Sequence, residues 1–162
     1  MNEKSPKKNP LVLALKRLTY RAASCKEIDD YLTKAGFDST QRKKVQQQLI
    51  EWRYLDDRKL AASLSAEYLQ HKHMGYSLIY QKLRQKGISH DDIMAALEHY
   101  DETQELAAAE YLAEKYLIRV GKAEPPERER LSIIKNALAR HLQRKGFSTA
   151  IILKIINDKF PD

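Results

Sequence analysis

A chain of 162 residues, 43% hydrophobic and 31% charged, suits one compact domain or a short row of small units and excludes a large multi-domain machine. Five glycines and five prolines are too few turn signals for a β-sandwich or barrel, so long helices are expected and the fold class is all-α. A formal net charge of +7 points to a polyanionic or acidic-protein partner, nucleic acid or something that carries it foremost.

In chain order, Met1 to Asn9 reads as a flexible basic tail. An amphipathic stretch from Leu11 to Tyr20 opens the first helix, with Pro10 at its first turn. Ser24 to Glu27 forms a capping box ahead of Ile28 and Leu32, an i, i+4 pair on one helix face. Gly36 then supplies the left-handed residue just past the helix end, Phe37 folds back on that helix, and Asp38 caps a third helix carrying Val45 and Leu49. The same spacing returns as Ile79, Leu83, Gly87 and Ile88, capped by Ser89 and followed by Ile93 and Leu97. It returns once more as Leu138, Leu142, Gly146 and Phe147, capped by Ser148 and followed by Ile152 and Ile156.

Upstream of the second and third copies lie amphipathic stretches from Leu60 to Leu69, behind Asp56 and Asp57, and from Leu106 to Leu117. Asp91 and Asp92 enrich another helix start, and the one longer break is Gly121 to Pro126. The expected architecture is therefore three tandem three-helix repeats, over residues 10–55, 56–102 and 103–162, forming an elongated, curved, solenoid-like array. Such a row offers an extended surface and no obvious cleft.

Chemistry-bearing constellations are scarce. His71, His73, His90, His99 and His141 contain no i, i+3 or i+4 ligand pair; His71 and His73 are i, i+2 on a predicted helix and point to different faces. Paired aspartates read as helix caps, and no phosphate-loop, dinucleotide, zinc-protease or serine-hydrolase motif occurs. Neither an enzyme nor a cofactor is expected. Cys25 is the only cysteine, so no intramolecular disulfide is possible, and its expected role is packing in a reducing cytoplasm. No apolar run reaches 18 residues, so a cytoplasmic protein without a membrane partner is expected.

Basic residues are uneven: residues 1–55 hold 12 against 6 acidic, 56–102 hold 6 against 8, and 103–162 hold 11 against 8. On the last repeat Arg140 and Arg144 lie i, i+4 on the solvent side, with Lys145 extending that ridge. Lys82, Arg84 and Lys86 on the middle repeat and Arg42, Lys43 and Lys44 on the first complete nine candidate contact residues.

The run Tyr54-Leu55-Asp56-Asp57-Arg58-Lys59-Leu60-Ala61 resembles the tyrosine-leucine-aspartate-aspartate motif of the bacterial RecX regulatory proteins. Gly75 with Ile79, Leu83 and Lys86-Gly87-Ile88 resembles that family's second-repeat pattern, Lys145-Gly146-Phe147-Ser148 its third, and Arg21-x-x-Ser24-x-x-Glu27-Ile28 its first. Ala23 stands where the family commonly has a histidine. The resemblance implies a non-enzymatic, monomeric regulator of recombination and DNA repair that binds the RecA filament and damps its strand exchange, ATP hydrolysis and coprotease activity. It would touch protein lobes and single- or double-stranded DNA phosphates without base-specific contact. A RecA-independent helix-turn-helix-like DNA binder and a plain interaction scaffold would use the same amphipathic skeleton.

Overall fold

The computed structural model describes residues 9–98, 100–121 and 128–161. The expected tail, except Asn9, lies outside them, as do His99 and the Pro125-Pro126 break. The described residues form helices α1 (Pro10–Tyr20), α2 (Cys25–Lys34), α3 (Ser39–Glu51), α4 (Asp57–Gln70), α5 (Tyr76–Gln85), α6 (His90–Leu97), α7 (Glu102–Val120), α8 (Arg128–Arg144) and α9 (Thr149–Lys159), with no strand among them.

Local signals act where the sequence puts them. Ser24 and Asp38 make full capping boxes with Glu27 and Gln41, while Asp56, Ser89 and Ser148 cap α4, α6 and α9. Gly36, Gly87 and Gly146 have φ of 88°, 79° and 86°. Each closes its helix with the paired bonds of a Schellman end, as in Gly146 N–H to the Gln143 carbonyl and Phe147 N–H to that of Leu142. Ile28, Leu32, Ile79, Leu83, Leu138 and Leu142 are all fully buried, each contributing on the order of 1.5–3 kcal/mol.

The three triplets are not equivalent in packing. α1, α2 and α3 enclose a core of their own around Ile28, Leu32, Val45, Leu49 and Leu55. The second and third triplets share one continuous core running from Ala61 and Ile79 to Leu138 and Ile155. Small residues explain the merger: Ala61 on α4 and Ala108, Ala109 and Ala113 on α7 are buried, and α4 packs directly against α7.

Successive triplets are joined head to tail by one device used twice. The start of α5 sits on the end of α8, where Gly75 N–H donates to the Lys145 carbonyl at 2.8 Å and Ser77 N–H to that of Gly146 at 3.2 Å. The start of α2 sits likewise on the end of α5, with the Ser24 hydroxyl donating to the Lys86 carbonyl. A carboxylate from the following triplet completes each joint. Asp57 accepts from Cys25 N–H at 2.9 Å, and Glu105 accepts from Tyr76 N–H at 3.0 Å. Donors at the start of one helix, backbone N–H groups on α5 and the Ser24 hydroxyl on α2, thus meet carbonyls at the end of another.

Candidate partner-binding interface

The nine predicted contact residues divide by what holds them. Arg42 is committed to the fold: its Nε donates to Asp29 at 2.9 Å and its Nη1 to the Phe37 carbonyl at 3.0 Å. Lys86 is likewise engaged, its ammonium 3.0 Å from Glu27 across the first joint. Burial pushes the Glu27 carboxyl upward, but Lys86, the Ser24 N–H and Arg21 outweigh it and hold the group below its ordinary range. Arg84 donates to the Ile88 carbonyl at 3.1 Å from an exposed position. Lys43, Lys44, Lys82, Arg140 and Arg144 are exposed.

Lys145 does not extend the Arg140–Arg144 ridge. One residue past Arg144, with its N–H still bonded to the His141 carbonyl, it points about 100° round the helix from that residue and lines a groove of about 340 Å³ with Leu112, Lys115, Tyr116, Arg119 and His141. The expectation of a surface without a cleft is corrected by this groove. Among the described residues its lining is cationic and apolar, with no carboxylate.

Aromatic rings and cations alternate along α7, from Tyr116 in this groove to Tyr111, which lines a neighbouring cavity with His73. Lys115 lies 5.9 Å from the centre of the Tyr111 ring and Arg119 5.2 Å from that of Tyr116. His141 stacks on Tyr116 at 5.2 Å, and His73 on Tyr111 at 4.3 Å. Burial lowers the His141 imidazole below its usual range, and Lys145, Arg144 and Arg119 push the same way. Burial also lowers His73, helped by Lys115, His71 and Lys145. Both rings are therefore held proton-poor by surroundings that would welcome an anion.

His71 and His73 are not helical neighbours as expected. α4 ends at Gln70, His71 is its C-cap, and His73 has φ of 48°. That backbone lets its ring leave α4 and meet Tyr111. No cluster of three or more metal-binding side chains occurs among the described residues. The nine expected contact residues, on the second and third helices of the repeats, do not include Lys115, Arg119 or His141; the signal for the two cations is their place three or four residues after a tyrosine on α7, Tyr111 to Lys115 and Tyr116 to Arg119.

Cys25 is half-buried. Burial, then the Asp57 carboxylate, push its thiol up to about 12, so it is a packing thiol and no nucleophile.

Comparison with known proteins agrees with this architecture. The family model for the second three-helix domain of RecX matches residues 56–97, the span of α4, α5 and α6. The regulatory protein RecX of Bacillus licheniformis is 33% identical over 139 residues, covering 86% of this chain and 51% of that protein. That of Enterococcus faecalis is 34% identical over 145 residues, covering 88% and 51%. The chain thus spans about half the length of these relatives. The crystal structure of RecX from Lactobacillus salivarius superposes with a TM-score of 0.77 at 25% identity, covering 92% of this chain and 93% of that one. Motif order, helix triplets and these likenesses converge: the chain belongs to the RecX family of regulatory proteins.

Proposed function

We propose that this chain is a non-enzymatic, cytoplasmic modulator that binds the RecA nucleoprotein filament and damps its recombinase, ATPase and coprotease activities. The observation that carries this reading is the groove between α7 and α8, in which Lys115, Arg119, His141 and Lys145 converge and to which no described residue brings a carboxylate. A row of helix triplets with a cationic groove suits an elongated anionic partner, which it meets through acidic lobes and phosphates without reading bases. Membership in a family of regulatory proteins favours binding over catalysis.

RecA ATPase on single-stranded DNA, measured with and without substoichiometric protein, tests the proposal. Inhibition is expected. Reversing Lys115 and Arg119 together is expected to weaken it while leaving the fold intact, since both are exposed and such substitutions usually change stability by about 0.5 kcal/mol. A protein that leaves the ATPase untouched yet binds bare duplex with a steep salt dependence is instead a RecA-independent DNA binder.

A further inference from the structure

Four helices end with the paired Schellman bonds. In α2, α5 and α8 the left-handed residue is Gly36, Gly87 or Gly146, and the next residue, Phe37, Ile88 or Phe147, folds back toward the core. The end of α3 breaks both habits at once. Arg53 takes the glycine position at φ of 59°, and Tyr54 follows it, 57% exposed. Trp52, just before them, is 49% exposed. Its ring meets Tyr54 edge-on at 6.5 Å, so the two rings are not stacked on each other. A turn that strains its backbone to carry an arginine and faces two large aromatics outward departs from local rules in the way functional sites do.

The neighbourhood is a groove formed with the α1–α2 loop. Ala22 and Ala23 line it together with Arg53, Tyr54, Asp56 and Lys59. The Asp56 carboxylate is engaged as the α4 cap by Lys59 N–H. On the loop side, Tyr20 just before it is 77% exposed, while Arg21 is paired with Glu27 at 3.2 Å. Aromatic faces interleaved with cations match the alternating base and phosphate of a single polynucleotide strand better than a contiguous apolar anchor for protein. The α7–α8 groove differs, because its tyrosine faces are already covered by Lys115, Arg119 and two imidazoles.

We propose that the α1–α2 and α3–α4 loops form a base-stacking platform for single-stranded DNA, with Trp52 and Tyr54 taking bases and Arg53 and Lys59 holding the phosphates between them. The choice of DNA over RNA rests on the filament reading; the stacking does not.

Trp52 is the only tryptophan of the chain, so its fluorescence reports the site directly. Titration with an oligothymidylate of about 20 nucleotides is expected to quench it saturably, and a duplex of equal length to leave it nearly unchanged. Measured by anisotropy of the labelled oligonucleotide, Tyr54→Ala and Trp52→Ala are expected to weaken binding by about fivefold to a hundredfold, with Trp52→Phe staying near wild type. Arg53→Gly relieves the left-handed strain, so it is expected to raise the melting temperature while weakening binding. Absence of quenching, wild-type affinity in Trp52→Ala, or an equal response to duplex overturns the platform. Tighter binding of oligouridylate overturns the assignment to DNA. Quenching without any effect on RecA ATPase keeps the platform and removes the filament reading, and inhibition without quenching does the reverse.

Discussion

Three glycines that look alike in the sequence carry different loads. A side chain at Gly36 would meet nothing within 4 Å, so alanine there adds only the strain of a positive φ, about 1 kcal/mol. At Gly146 the same Cβ would lie 2.4 Å from the Leu78 backbone nitrogen, inside the joint between the second and third triplets. Gly75, on the other side of that joint, has ordinary φ, yet its Cβ would come within 2.5 Å of the Gly146 carbonyl. Gly146→Ala and Gly75→Ala are therefore expected to lower the denaturation midpoint well beyond Gly36→Ala, by roughly 1–3 kcal/mol more, the usual range for overpacking. Equal losses at all three positions in urea titrations would remove the joint from the account. Cys25 offers a complementary reading of the first joint: with its thiol raised to about 12, it should label very slowly at neutral pH and at an ordinary rate once denatured. Rapid labelling of the folded chain would show that the joint opens freely.

Among the helices, the legible part was local and the illegible part relational. Caps, C-terminal glycines and i, i+4 pairs are rules of chain geometry at short range, so Ser24, Gly87 and Leu138 announced their roles. Nothing in Glu105 announces that it is 6% exposed and caps α5 from another triplet; in sequence it is one more acid in a helix's first turn. The same holds for Lys86, whose partner Glu27 lies 59 residues away, and for Lys145, which lines the groove with α7 residues and not the ridge assigned to it. Burial raises the Glu105 carboxyl above its ordinary value, though the Tyr76 N–H opposes the shift. A carboxyl raised on folding holds its proton better in the native chain, so it costs stability at neutral pH, a cost relieved as pH falls through the raised value. Glu105→Gln keeps an acceptor for Tyr76 without the buried charge and is expected to melt at or above wild type at pH 7. Glu105→Ala strands that N–H and is expected to lose about 1–3 kcal/mol. A glutamine variant as damaged as the alanine variant would mean that the charge itself holds the joint.

At the scale of the whole molecule, a partner held in the α7–α8 groove, as proposed, is expected to bind in a pH-dependent way. His73 and His141 are both held below the ordinary imidazole value by burial and by the cations around them. The native chain is thus poorer in protons than the unfolded one near pH 6.5, and these two groups withdraw stability as pH falls through the ordinary value toward the folded ones. A bound polyanion reverses the local field of Lys115, Arg119, Arg144 and Lys145, raises both imidazoles and draws protons in. Affinity for RecA filaments is accordingly expected to rise between pH 8 and pH 6 while the free protein becomes less stable over the same interval. Salt separates the kinds of contact, because each neutralised DNA phosphate contributes a slope of about −0.9 in log affinity against log salt, or about −0.7 on a single strand. Replacing His141 by glutamine keeps a polar group beside Tyr116 without a titrating proton and is expected to flatten the pH dependence while leaving affinity at pH 8 near wild type. Affinity that stays constant from pH 8 to pH 6 in the wild-type chain would place the filament contact away from this groove, on the exposed Arg140–Arg144 face or on the loops of the first triplet.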